Sequence, residues 1–185
     1  MFIDSHCHLD RLELEKLGMD LPAVLKAAEH ASVQHMLCVS VSLQEFPEMA
    51  AMVAQYPQVS VSCGEHPLHQ QESFDQVLLK TLAAAPNVVA VGETGLDYFY
   101  SPDNKTTQQR AFVSHIQVAR ELNKPLIVHT REARADTISL LTQEGAADCG
   151  GVLHCFTEDW DTAKAALDLG FYISFSGIMT FRNAD

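Results

Sequence analysis

The sequence predicts a TIM-type (β/α)8 barrel lacking roughly its last strand and final helices. Three observations lead there. Short, continuous apolar runs alternate with amphipathic stretches along the whole chain, the pattern of a parallel sheet covered by helices. Metal-capable side chains recur at, or just past, the C-terminal ends of those runs. In a barrel such ends converge on one mouth, whereas an open sheet would string them along an edge. Finally, no Gly-x-Gly-x-x-Gly follows the first run, so a dinucleotide-binding open sheet has little support.

The elements follow in order. Phe2 and Ile3 begin the first strand, which runs into Asp4-Ser5-His6-Cys7-His8. Residues two apart on an extended segment share a face, so His6 and His8 present two imidazoles from one rigid element. Leu21 to Ala31 reads as a helix, with Asp20 as its N-cap and Pro22 in its first turn. Gln34 to Val41 is the second strand, and Leu43 to Tyr56 a helix stopped by Pro57. Val59 to Gly64 is the third strand, Phe74 to Ala85 a helix ended by Pro86, and Val88 to Glu93 the fourth strand. A longer polar loop precedes a helix from Asn104 to Leu122. Pro125 to His129 is the fifth strand, and Ala133 to Glu144 a helix with Gly145 as its stop. Gly151 to Phe156 is the sixth strand, Asp161 to Leu169 a helix with Gly170 behind it, and Phe171 to Gly177 the seventh strand.

No linker, low-complexity segment or longer repeat interrupts this alternation, so residues 1–185 read as a single domain, incomplete at its C-terminal end. A full barrel takes about 250 residues. Without an eighth strand, the apolar edges at Phe2-Ile3 and Phe171 to Phe175 are expected to be open to pairing with another chain.

A formal net charge of −12 argues against a broad basic surface that coats nucleic acid. It leaves room for a nucleic-acid substrate at a metal site, because a bound cation sets the local field. Hydrophobic residues make up 47% of the chain, and no apolar run approaches the roughly 20 residues of a membrane span, so no membrane partner is expected. The N-terminus lacks the basic and apolar regions of a signal peptide. Five cysteines, odd in number and without a Cys-x-x-Cys, read as free thiols in a reducing compartment, so a cytoplasmic location is expected.

His6, His8, Glu93, His129 and His154 form the candidate centre. Any one of these histidines, taken singly, reads equally well as a buried structural side chain. Five metal-capable residues at equivalent positions of repeated units are harder to explain that way. His6 and His8 are expected to hold one divalent ion and His129 and His154 a second, with Glu93 as the bridge, because a carboxylate has two oxygens to an imidazole's one nitrogen. Two such ions can activate water and stabilise the leaving oxygen of a phosphoester. Weaker candidates surround them. His66 in Gly64-Glu65-His66-Pro67 and Arg131 are candidate phosphate contacts, Arg131 through its fork or, alternatively, tied to Glu132 or Asp136. Asp97 and Tyr98 are candidates for orienting a ligand or stacking on a base. Asp4 is expected behind a ligating histidine. His30, His35, His69 and His115 read as structural.

The segments Asp4-Ser5-His6-Cys7-His8-Leu9-Asp10, Gly64-Glu65-His66-Pro67, Gly92-Glu93-Thr94-Gly95-Leu96-Asp97-Tyr98, Pro125-Leu126-Ile127-Val128-His129-Thr130-Arg131 and Leu153-His154-Cys155-Phe156 resemble the TatD family of metal-dependent deoxyribonucleases, within the amidohydrolase-like barrels. Asn123-Lys124-Pro125 and the Phe171 to Gly177 run are most similar to its YcfH-type branch. The resemblance implies hydrolysis of DNA or small phosphodiesters with two divalent ions (Zn, Mn, Mg or Ni), with His6, His8, Glu93, His129 and His154 as ligands and Glu93 catalytic. It also implies a further metal-binding aspartate in a Thr-Asp-Ser-Pro segment on strand eight, which has no counterpart here. Of the late acids, Asp168 lies on an expected helix and Asp185 is the last residue. Glu65 stands where the family usually has a small or apolar residue. Two rival readings remain. One is an amidohydrolase or aminoacyl-ester deacylase, for which many relatives carry a lysine where strand four here has Glu93. The other is a non-catalytic metal- or nucleotide-binding remnant, which stays inert at any metal concentration.

Overall fold

The structure, a computed structural model, describes residues 1–70 and 74–182. Asp185 lies outside the described residues. Seven parallel strands form one curled sheet in sequence order, a TIM-like half-barrel slightly shorter than a full barrel. They are β1 (Phe2–Cys7), β2 (Val33–Cys38), β3 (Val59–Cys63), β4 (Val88–Asp97), β5 (Leu126–Arg131), β6 (Gly151–Leu153) and β7 (Phe171–Ile173). Between them lie α1 (Leu14–Leu17), α2 (Leu21–His30), α3 (Phe46–Val53), α4 (Gln76–Ala83), α5 (Lys105–Leu122), α6 (Arg134–Gln143) and α7 (Trp160–Asp168).

Local chemistry explains the helix starts. Asp20 caps α2 through the Ala23 N–H at 2.9 Å, with Pro22 in the first turn. Asp75 and Asp159 cap α4 and α7 in the same way. The α3 helix begins at Phe46 rather than Leu43, because Ser42 to Glu45 form a turn and Pro47, which has no N–H to give, fits the first helical turn.

Several strands depart from expectation: β2 ends at Cys38 rather than Val41, β6 ends at Leu153 rather than Phe156, β5 runs on to Arg131, and β4 and β7 differ most. β4 does not stop at Glu93 but runs on to Asp97, and the segment expected to be a polar loop is a buried strand. Its first half pairs with β3 as far as Val91, and its second half pairs with β5 from Thr94 to Asp97. The register breaks between Val91 and Thr94, so Glu93 sits at the irregularity. Glycine makes this possible. A Cβ on Gly92 would lie 2.6 Å from the Ile127 carbonyl oxygen, and one on Gly95 would lie 2.0 Å from that of His129. In the opposite sense, β7 ends at Ile173 and the chain turns into a 3-10 segment at Gly177–Thr180. Among the described residues β1 and β7 each pair on one side only, and Phe2, Ile3, Tyr172 and Phe175 are exposed.

One large apolar core joins the helices to the sheet, with Phe112, Ile116, Leu79, Leu126, Leu141 and Leu153 fully buried. A second, small cluster of Val39, Ala90 and Ile127, flanked by Leu37 and Val152, lies elsewhere. Ile127 is two residues before His129 on β5, so this cluster lies beneath the histidines on their own face of the sheet.

Candidate metal centre

Glu93 is the hub. It is 4% exposed, its N–H is bonded to the Ser40 carbonyl at 2.9 Å, and its carboxylate faces four imidazoles. Oε2 lies 3.3 Å from His6 Nε2 and 4.0 Å from His8 Nε2. Oε1 lies 3.5 Å from His129 Nδ1 and 3.6 Å from His66 Nε2. His154 stacks flat on His6, with ring centroids 3.5 Å apart. Burial raises the Glu93 pKa, but the hydrogen bonds from His129 and His6, and the nearby His66, outweigh it and hold the group well below the usual carboxylate range. It is therefore an anion at neutral pH.

By distance alone two trios can hold a cation: His6, His8 and Glu93, and His66, Glu93 and His129. The second differs from the sequence expectation, which paired His129 with His154 and left His66 to substrate. The far nitrogens of the rings distinguish their members. His8 Nδ1 is 2.9 Å from the Val39 carbonyl oxygen. A carbonyl only accepts, so Nδ1 carries the proton and Nε2 offers a lone pair to the site. His129 Nε2 is 3.0 Å from Asp97 Oδ2, which likewise accepts and leaves Nδ1 toward Glu93. Burial lowers the His129 pKa, but Glu93 and Asp97 together raise it above the ordinary value, so an ion at Nδ1 would compete with a proton there.

His66 is the reverse case. Its Nδ1 accepts the Leu68 N–H at 3.2 Å, so the single proton of the neutral ring sits on Nε2, pointing at Glu93. Burial lowers its pKa to about 4, so the ring is neutral at pH 7. A ring in that state donates to an anion and has no lone pair for a metal. His154 has the same lowered pKa, about 4, from burial and then from His6, and its Nδ1 is buried with no hydrogen-bond partner. A buried orphan nitrogen beside an anionic hub is a cost unless a cation takes it. His154 belongs to neither trio, but the imidazole and carboxylate donors gathered around Glu93 are of the kind that suits divalent transition ions.

Other expected site residues take different places. Asp97 does not face an open mouth: it is 1% exposed, with Oδ2 on His129 and Oδ1 accepting the Phe99 and Tyr100 N–H groups. In this structure its carboxylate is engaged in holding His129 and the turn that follows β4. The Tyr98 hydroxyl donates to Asp136 at 2.7 Å and accepts from Gln109, so its polar tip is already engaged. Arg131 pairs with neither Glu132 nor Asp136 but lies over the Phe99 and Tyr100 rings. Asp4 accepts the His6 backbone N–H rather than a ring proton. Glu65 belongs to neither trio.

His115, read as structural, matters locally. It is fully buried in α5, accepts the Glu65 N–H on Nε2 at 3.0 Å and donates from Nδ1 to the Ala111 carbonyl. It thereby fixes the loop that carries His66. Only the fold reveals this link, since the partners are 50 residues apart.

The TatD-related DNase family model matches residues 3–185. The chain belongs to the TatD family. It is 55% identical over 183 residues to the metal-dependent hydrolase YcfH of Escherichia coli (strain K12), covering 99% of this chain and 69% of that protein. It is 34% identical over 161 residues to the 3'-5' ssDNA/RNA exonuclease TatD of Edwardsiella piscicida, covering 85% of this chain and 62% of that one. The crystal structure of YJJV, a TatD homolog from Escherichia coli, superposes with a TM-score of 0.85 at 26% identity, over 100% of this chain and 71% of that one. Membership makes the chain part of a metal-dependent hydrolase family, in agreement with the donor set at Glu93. No helix among the described residues is long and apolar enough to cross a membrane.

Proposed function

We propose that this chain hydrolyses phosphodiester bonds in DNA or small phosphodiesters, with two divalent ions and with Glu93 shared between them. His6, His8 and Glu93 would hold one ion, and Glu93, His129 and His154 the other. Bound there, such ions supply positive charge for phosphate oxygens and lower the pKa of water toward neutrality. The protein's own residues do the rest. Val39 and Asp97 take the outer protons of His8 and His129, so His8 Nε2 and His129 Nδ1 are the atoms turned toward a cation. The anionic Glu93 carboxylate balances part of the added charge. His66 presents its Nε2–H as a neutral donor for a phosphate oxygen.

The observation that carries the reading is the division of Glu93: one oxygen faces His6 and His8, the other His129 and His66. The DNase family description and the exonuclease name of one relative support phosphoester chemistry over amide or aminoacyl-ester chemistry. Glu93→Gln keeps the shape and removes the charge. Turnover of a chromogenic phosphodiester at saturating Mn²⁺ or Zn²⁺ should fall by roughly 10²–10³-fold. Wild-type turnover in that variant, or a parent that cleaves only anilides or aminoacyl esters, would overturn the proposal.

A further inference from the structure

The turn that leaves β4 carries three consecutive aromatic residues, Tyr98, Phe99 and Tyr100, and two of the chain's cations lie on their rings. Arg131 places its guanidinium 4.4 Å from the Phe99 ring and 4.7 Å from the Tyr100 ring. Lys105 places its ammonium 4.4 Å from the Tyr98 ring. Arg11, Lys16, Lys80, Arg120, Arg134 and Lys164 all face carboxylates. Among the described residues Lys105 and Arg131, like Lys26, Arg110, Lys124 and Arg182, face none, and these two are the ones that lie on aromatic rings. Two cations without carboxylate partners thus lie on one short aromatic segment.

The rings are exposed yet held in place. Phe99 is 49% and Tyr100 62% exposed, and the two meet edge to face at 4.8 Å. The fully buried Gln108 clamps the backbone beneath them. It accepts the Asp97 N–H at 2.8 Å and donates to the Asp97 and Ser101 carbonyls at 3.0 and 3.1 Å. Asp97 Oδ1 accepts the Phe99 and Tyr100 N–H groups at 3.1 and 2.8 Å. Its other oxygen holds His129, which stands 3.5 Å from Glu93. One carboxylate thus ties the aromatic turn to the metal centre. A rigid, exposed ring pair with a guanidinium at hand is suited to stacking on the face of a nucleobase while the cation meets the phosphate chain. In a duplex that face is already covered by the neighbouring base pair. The fit is to an unpaired base.

We propose that Phe99 and Tyr100, with Arg131, form a stacking subsite for an unpaired nucleobase flanking the phosphodiester held at Glu93. The subsite rests on the phosphodiesterase reading for its setting and adds the residues that recognise an unpaired base.

The test compares two short, uncleavable phosphorothioate oligomers, one of thymidylate and one of the same length with abasic residues, binding to the metal-loaded protein by fluorescence anisotropy. The parent should bind the thymidylate oligomer about tenfold or more tightly than the abasic one. In Phe99→Ala/Tyr100→Ala that ratio should collapse toward one. In Phe99→Tyr/Tyr100→Phe, which keeps both rings, it should persist. Thermal midpoints report on folding, and the exposure of both rings predicts little change. Equal binding of the two oligomers by the parent, no binding of either, or a ratio that survives the alanine pair overturns the subsite. Hydrolysis of an ordinary thymidylate oligomer by the parent separates the two claims. Cleavage without base discrimination leaves the phosphodiesterase reading standing and the subsite refuted. Ring-dependent discrimination without cleavage does the opposite.

Discussion

On one side of Glu93 stands His8, its Nδ1 proton given to the Val39 carbonyl and its Nε2 lone pair turned inward. On the other stands His66, its Nδ1 occupied by the Leu68 N–H and its Nε2 proton turned inward. Both Nε2 atoms lie within 4.0 Å of a Glu93 oxygen, and distance alone does not separate them. The hydrogen bond on the far nitrogen does, because it fixes which atom of a neutral ring carries the proton. The same rule places His129 with His8, since Asp97 takes its outer proton. An imidazole cluster around a carboxylate is thus two kinds of group: rings ready for a cation and a ring ready for an anion.

The largest effect that follows concerns the first kind. His8→Ala and His129→Ala should each lose bound metal by elemental analysis, and turnover should drop by roughly 10²–10³-fold in each. Full metal content in both would break the division at its root. Asp97→Asn is the next and sharper cut. The amide would turn an N–H toward His129 Nε2, favouring the tautomer that puts a proton, not a lone pair, at Glu93. Metal affinity on that side should weaken about 10–100-fold in a chelator competition, while the His6-His8 side keeps its affinity. Equal weakening on both sides would mean that Asp97 acts through the fold rather than through His129.

The strands, and the gathering of histidines near Glu93, were legible in the sequence because each rests on a local signal. Apolar runs marked the sheet, and His6, His8, His129 and His154 stood at their ends. What escaped depended on contacts between distant segments. Gly92 read as nearly the end of a strand and Gly95 as a loop residue, yet each lets β5 approach β4 more closely than a Cβ allows, so the strand continues. The inward proton of His66 depends on the direction of one backbone N–H, at Leu68. The burial of Asp97 and its pairing with His129 follow from the β4–β5 register, which no local pattern shows.

His115 offers a milder test on the His66 side. Its lowered pKa, about 4, comes chiefly from complete burial, so the folded state holds it neutral. The stability it brings is therefore present above the unfolded value of about 6.5 and is lost as pH falls from there toward 4. Between pH 7 and pH 5 the cost should be about 2 kcal/mol in urea unfolding of the metal-free protein. His115→Gln should flatten the pH dependence by that amount, whatever it does to stability at pH 7. An unchanged slope would show that His115 charges without penalty and does not anchor the Glu65-His66 loop.

The smallest effect decides the comparison most directly. If His66 is a donor for phosphate, His66→Ala removes one neutral hydrogen bond, which is worth about 0.5–1.5 kcal/mol net. That corresponds to a rise in KM for a phosphodiester of about two- to tenfold. Metal content should stay at the parent's level, because the other rings hold the cations. His66→Asn keeps a donor on a shorter stem and should recover part of the loss. The trio of His66, Glu93 and His129 makes the opposite forecast: a missing ion in His66→Ala, and rescue of activity by excess metal rather than by excess substrate. Titrating metal and substrate separately against the one variant tells the two apart. Metal rescue would show that the Leu68 N–H yields when a cation arrives, so that the resting hydrogen bonds do not by themselves assign the ligands.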